Sequence, residues 1–273
     1  MFNHIRNRLK KNKFCIKLYS ILQWHERLYS LKCFLRLDRQ MGKSNFILVM
    51  KNGTKIYLPY YKTDLIQKEI ANTKNFYEIE TLNSIFKQND SYSLKKGLLL
   101  DIGSNIGNHT LYFFQNNLIQ TAYCFEPVQD TFQILQKNIY INNLQNKVKL
   151  FNVGVGESQG TAQIASYSIS NTGSSQLKIS NKGDIPIIAI DNIDFEQNIS
   201  LVKIDVEGFE LSVIKGMLNT LKTHKPLIFI EIRNPFFDEI REHLQALGYE
   251  FKKIDDDEDY EVGNYLFFTP DKN

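Results

Sequence analysis

Gly97-Leu98-Leu99-Leu100-Asp101-Ile102-Gly103-Ser104-Asn105-Ile106-Gly107 is the stretch on which the reading of the fold turns. Its short apolar run lacks the polar alternation of a half-solvated strand. It therefore predicts a strand buried on both faces, as in the middle of a parallel sheet. Gly103 permits a sharp turn after the strand, and Gly107 lets a ligand or the next helix approach the backbone closely. The spacing is G-x-x-x-G, not the G-x-G-x-x-G of a dinucleotide site, and no Lys-Ser/Thr pair follows as in a phosphate loop. Asp101 at the turn would repel phosphate. It suits a ligand carrying an amino group, a sulfonium and a ribose. Taken alone, the loop also fits an ordinary strand-to-helix turn.

Strand and helix patterns alternate downstream of this loop. A helix is predicted at about 108–117, then a strand at Ala122-Tyr123-Cys124-Phe125 and a helix opened by Pro127, which a first helical turn tolerates. Strands follow at 148–153, 201–205 and 226–231, with helices at 211–221 and 236–247. The segment 157–185, rich in Ser, Gly, Asn and Thr, reads as an inserted hairpin or loop. β-prone residues 249–254 and 265–268, joined through the acidic run 255–259, predict an antiparallel pair at one sheet edge. Upstream, 46–50 and 55–58 flank Asn52-Gly53 and predict a tight ribbon. Residues 65–88 have the spacing of a single helix, with Phe76, Ile79, Leu82 and Phe86 on its apolar face. The sum is a doubly wound, mostly parallel α/β sandwich.

The 273 residues, 42% of them hydrophobic, suit one sizeable α/β core with extensions. Cys15, Cys33 and Cys124 are odd in number and far apart, so a reducing compartment is expected and no metal cluster. Neither a secretory signal nor an apolar span is visible, which leads to the expectation of a cytoplasmic protein. The net charge of +3 is uneven: residues 1–44 carry eleven Lys or Arg against Glu26 and Asp38, which leaves the remainder net acidic. Residues 14–37 have helical apolar spacing, so 1–44 reads as a basic helical extension and 45–273 as the main domain. Within that domain, the hairpin and helix occupy 45–95 and the α/β core 96–273. The extension would serve as a lid, a dimer contact or a peripheral contact with an anionic membrane. An acidic body opposes nucleic-acid binding. The fourth strand end reads Asp205-Val206-Glu207-Gly208, not the Asn/Asp-Pro-Pro-aromatic tetrad that grips a base.

Ligands of open α/β sheets bind beyond the carboxyl ends of the strands. Besides Asp101, two such ends carry acids. Glu126 follows the second strand, where a carboxylate can accept both hydroxyls of a ribose. Asp205 and Glu207 follow the fourth and could position a hydroxyl, take its proton or hold a cation. Three ordered motifs together resemble the FkbM-type methyltransferases: residues 100–107, then Phe125-Glu126-Pro127, then Val202-Lys203-Ile204-Asp205-Val206-Glu207-Gly208-Phe209-Glu210. The likeness extends to Phe76-Tyr77-Glu78 and Ile214-Lys215-Gly216, and covers residues 45–269.

This resemblance implies a class I, Rossmann-like fold with a seven-stranded sheet whose last strand is antiparallel. It implies S-adenosylmethionine as cofactor and a hydroxyl of a sugar, glycan or other small molecule as methyl acceptor. By position, Asp101, Gly103 and Asn105 would surround the methionine part and Glu126 would hold the ribose. Gly154 and Val155 would lie near the adenine, while Glu78, Ser104, Gly107 and Pro127 complete the cofactor set. Asp205 and Glu207, with Glu231 at the next strand end, are the candidate bases. His109 ranks below them, because a lone histidine on a helix is more often structural. No metal ligand set is assigned. The competing reading is a non-catalytic module that keeps the fold and acts at a membrane or glycan surface through its basic arm.

Overall fold

Alternation along the strands builds two apolar layers, one on each face of a central sheet. Leu99, Leu201, Phe229 and Leu266 feed one layer, while Leu98, Leu100, Val202, Ile228 and Phe267 feed the other. A computed structural model describes residues 44–86, 96–168, 171–254 and 261–270. The helices expected within 14–37 and the acidic run 255–259 lie outside the described residues. The first strands are β1 (Ile47–Val49), β2 (Lys55–Tyr57), β3 (Leu98–Ile102), β4 (Thr121–Phe125), β5 (Val148–Phe151) and β6 (Gly154–Val155). They are followed by β7 (Gly160–Ser168), β8 (Asn171–Ile179), β9 (Ile185–Ile188), β10 (Ile199–Ile204), β11 (Leu227–Arg233), β12 (Glu250–Lys253) and β13 (Val262–Phe268). The helices are α1 (Leu65–Thr73), α2 (Ile79–Phe86), α3 (Asn108–Gln115), α4 (Gln129–Ile141), α5 (Glu210–Lys215), α6 (Leu218–His224) and α7 (Phe237–Ala246).

Seven strands form the main sheet in the order β12-β13-β11-β10-β3-β4-β5. Pairs from β11 through β5 are parallel, and β13 runs antiparallel to both its neighbours. The expected doubly wound α/β architecture with an antiparallel last strand is therefore present. Leu99, Leu100, Ile204, Ile228 and Ile230 are at most 1% exposed, and burying each contributes about 1.5–3 kcal/mol. Strand order reverses between β3 and β10, so their loops diverge and leave a crevice beyond their carboxyl ends.

The insertion is a hairpin, as expected, but it belongs to a second sheet. β7 and β8 join β6 and β9 in the order β6-β9-β7-β8. The ribbon β1–β2 closes through three residues, with Met50 and Thr54 paired and only Gly53 in the left-handed region. Asn52 keeps a negative φ, so the turn is one residue longer than the tight type. The outer edge of β2 is met by α4: Asn138 accepts from the Tyr57 amide at 2.6 Å and Asn142 from the Lys55 amide at 2.9 Å. Asn138 also donates to the Ile106 carbonyl at 2.8 Å, tying the ribbon to the glycine loop.

Two helices differ from expectation. The single helix predicted over 65–88 is broken into α1 and α2. Lys74 (φ 54°) caps α1 in the left-handed region, and Glu78 (φ 56°) repeats that conformation before α2. Between them the Asn108 side chain accepts from the Tyr77 amide at 2.9 Å and donates to the Tyr77 carbonyl at 3.2 Å. A partner 31 residues away thus satisfies the broken helix, which periodicity cannot reveal. The helix predicted over 211–221 likewise splits at Gly216. A Cβ there would stand 2.0 Å from the Gly156 carbonyl oxygen. Asp191 accepts from the Asn219 and Thr220 amides, capping α6 from another loop.

Candidate functional site

The crevice beyond β3, β4 and β10 is lined by Gly103, Asn105, Glu126, Pro127, Gly154 and Val155 on one side and by Asp205, Glu207 and Phe209 on the other. Six of the ten residues expected to hold the cofactor, and two of the three candidate bases, therefore open onto one pocket. Asp101, Ser104 and Gly107 stand behind it. Asp101 is fully buried and accepts from Thr110 Oγ1 at 2.5 Å. Ser104 is buried and donates to the Asp101 carbonyl at 2.6 Å. Gly107 (φ 87°) opens α3, where a Cβ would meet Leu135 at 2.7 Å. These three support the loop from beneath.

Glu126 is 6% exposed, and both its oxygens take backbone amides: Oε2 from Asn105 at 3.0 Å and Oε1 from Val128 at 2.8 Å. Each oxygen keeps a lone pair for a ligand hydroxyl. Burial pushes this carboxyl up to about 7 against the pull of the two amides. Asn152 holds the strand end by donating to the Glu126 and Pro127 carbonyls at 2.8 and 3.1 Å. Asn105 sits at φ 48° with a buried side-chain oxygen that has no donor among the described residues, beside the pocket it lines.

Across the pocket, one oxygen each from Asp205, Glu207 and Glu231 lies within 4.8 Å of the others. β10 has ended at Ile204, and Glu207 takes a positive φ of 53°, which lets both acids of the Asp-x-Glu face the crevice. Glu207 forms an ion pair with Arg233 at the end of β11. Its carboxyl is raised first by burial, with Arg233 opposing. Burial and then the Asp205 and Glu207 charges push Glu231 up to about 8. Three carboxylates so close disfavour further negative charge, and the set is one a divalent ion could use. Glu78 lies 3.3 Å from His109 Nε2, and its charge also acts on Glu231.

Residues 101–251 match the methyltransferase FkbM domain. The chain belongs to the FkbM methyltransferase family. The hexuronic acid methyltransferase AglP of Haloferax volcanii is 29% identical over 174 residues, covering 61% of this chain and 70% of that protein. Methyltransferase sdnD of Sordaria araneosa is 25% identical over 201 residues, covering 59% of this chain and 73% of that one. The crystal structure of methyltransferase FkbM from Methylobacillus flagellatus KT aligns at 20% identity with a TM-score of 0.47 over 63% of this chain. This chain covers 44%, less than half, of that solved chain.

Two residues around this crevice of the FkbM-family chain escape sequence reasoning. Arg233 ends an apolar strand and meets Glu207 only in the fold. Lys203 is the other; its charge within Leu201-Val202-Lys203-Ile204 is an anomaly that the sequence displays without explaining.

The carboxyl cluster also makes a stability prediction. The folded-state pKa of Glu231, about 8, exceeds the ordinary value of 4.5. The folded state therefore binds the extra proton between those values, and stability falls as pH rises through that window. Wild-type melting temperature is expected to decline between about pH 4.5 and pH 8, and Glu231→Gln to flatten the decline. Parallel melting curves for the two proteins across that range would remove Glu231 as the cause.

Proposed function

We propose that the chain transfers a methyl group from S-adenosylmethionine to a hydroxyl of a sugar or other small hydroxylated acceptor. The observation that carries this is one pocket with Glu126 on one wall and Asp205 and Glu207 on the other, with Glu231 beside these two acids. The first wall suits the cofactor. A buried carboxylate with a free lone pair on each oxygen accepts a ribose diol, and an acidic lining favours a sulfonium over a phosphate. When bound, the cofactor supplies an electrophilic methyl group.

The protein contributes alignment, exclusion of water and a proton acceptor. Gly103, Asn105 and Glu126 would hold the methionine and ribose parts, and Gly154 and Val155 would flank the adenine. Asp205 would accept the proton of the acceptor hydroxyl. Glu231, protonated at neutral pH, would donate a hydrogen bond beside it, and Arg233 would hold Glu207 in place. A sugar is favoured because its hydroxyls match the carboxylates, and the Haloferax volcanii relative is named for a hexuronic acid. Among the described residues no helix is long and apolar enough to cross a membrane.

Calorimetry with S-adenosylhomocysteine, followed by transfer of labelled methyl to hexose and hexuronic acid glycosides, tests the reading. Binding and labelling of a hydroxyl are expected. The double variant Asp205→Asn/Glu207→Gln should lower turnover about 100-fold or more. Full turnover in that variant would remove the carboxylates from catalysis, and failure of the wild type to bind the homocysteine product would sink the cofactor assignment.

A further inference from the structure

Lys203 places a charge in β10, one residue before the strand ends, where it is 2% exposed. Burying an ammonium is costly unless its protons are met by acceptors. Its Nζ donates to the Gly103 carbonyl at 2.7 Å and to Asp205 Oδ2 at 3.3 Å, and lies 3.6 Å from Asp101 Oδ1. Burial opposes the charge, but Asp205 and Asp101 outweigh it and leave the lysine above its ordinary pKa. An apolar side chain would fill this space without the desolvation cost, so what the ammonium adds lies in the contacts it makes.

Those contacts join two walls of the pocket. The Gly103–Ser104 peptide is pinned at both ends, its carbonyl by Lys203 and its Ser104 amide by the Phe125 carbonyl at 3.0 Å. This peptide carries the loop that turns towards Asn105, whose amide is one of the two on Glu126. The second acceptor of Lys203 is the carboxylate on the opposite wall. Gly103 and the Asp205 backbone are themselves in contact, since a Cβ at 103 would stand 1.8 Å from the Asp205 carbonyl oxygen.

We propose that Lys203 is a positioning residue: one buried ammonium sets the Gly103–Ser104 peptide on the cofactor side and holds the Asp205 carboxylate on the acceptor side, keeping the two halves of the methyl-transfer geometry in register. The inference rests on the cofactor reading above. It predicts that loss of Lys203 disorders the cofactor loop in protein that is otherwise folded, and that Asp205 influences cofactor binding through Lys203.

The test is calorimetric titration with S-adenosylhomocysteine of the wild type, Lys203→Met, Asp205→Asn and the double variant, with melting temperatures measured alongside. Lys203→Met is expected to bind about 30-fold more weakly at a temperature where it is fully folded, the loss of one charge-assisted hydrogen bond. The double variant strands one carboxylate fewer and guards against misfolding; it should bind about 30-fold more weakly than the wild type, with no further loss beyond Lys203→Met. Asp205→Asn should weaken binding when Lys203 is present and not when it is absent, a non-additivity that independent sites would not show. A purely structural lysine would lower the melting temperature and leave the affinity of the folded protein unchanged, which overturns the proposal. Failure of both Lys203 variants to fold assigns the residue to folding and overturns it too. If the wild type itself does not bind, the cofactor reading falls and this one with it; if the wild type binds and the variants match their parents, this one falls alone.

Discussion

Glu126→Gln is expected to weaken S-adenosylhomocysteine binding by about 100-fold, the loss of one charge-assisted hydrogen bond to the ligand together with the disturbance of the amides that Glu126 holds. The size follows from the way both oxygens are already engaged. Each takes one backbone amide, from Asn105 or Val128, and has one lone pair left for a ligand hydroxyl. A glutamine keeps a single oxygen. Whichever way it turns, its amide group faces a backbone N–H donor and, on the pocket side, one ribose hydroxyl without an acceptor. The Asn105 and Val128 amides sit at the two loops that form this wall, so part of the loss comes through their displacement. Calorimetry with the same ligand measures it, and a melting curve confirms that the protein is folded. An affinity within about threefold of wild type would mean that Glu126 does not hold the ribose.

Gly103→Ala should lower the melting temperature by more than about 10 °C, a loss of several kcal/mol in a chain of this size. Two costs add. The φ of 76° lies in the left-handed region, which an alanine adopts at about 1–2 kcal/mol. The new Cβ would also stand 1.8 Å from the Asp205 carbonyl oxygen and 2.9 Å from its carbon, both backbone atoms that cannot rotate away. Gly53 offers the matched control. Its φ is 85°, yet nothing lies within 4 Å of a Cβ built there. Gly53→Ala carries only the backbone cost and should shift the melting temperature by a few degrees. Equal shifts at the two sites would show that the close approach of β3 and β10 contributes nothing.

Much of this architecture is legible in the chain because its strands are fully apolar. Leu98-Leu99-Leu100 and Leu201-Val202 need burial on both faces, and that alone demands a parallel sheet clothed by helices. Glu126 and Asp205 are legible for the related reason that an acid at the end of such a strand stands at the rim where ligands bind. What the pattern hides depends on partners distant in sequence. The bend at 74–78 is held by Asn108, and the residue at the 216 break is kept to glycine by the Gly156 backbone. Glu207 meets Arg233 only once β10 and β11 lie side by side. Asp101 shows the limit from the other direction: its place in the motif is plain, yet it faces Thr110 and Lys203 beneath the loop, not the pocket.

The order of the main sheet also constrains when this site can exist. β13 is the last strand of the sheet to be synthesised, and it lies between β11 and β12. It pairs along β11 through Glu231↔Asn264 and Arg233↔Val262, the strand end that carries two residues of the carboxylate wall. A nascent chain therefore leaves the ribosome with one whole margin of β11 unpaired, a template for other chains, until residues 262–268 follow. The strand ends that bring Asn105 to Glu126 come earlier in the chain, whereas the β11 end that carries Glu231 and Arg233 is paired on this side only when β13 arrives.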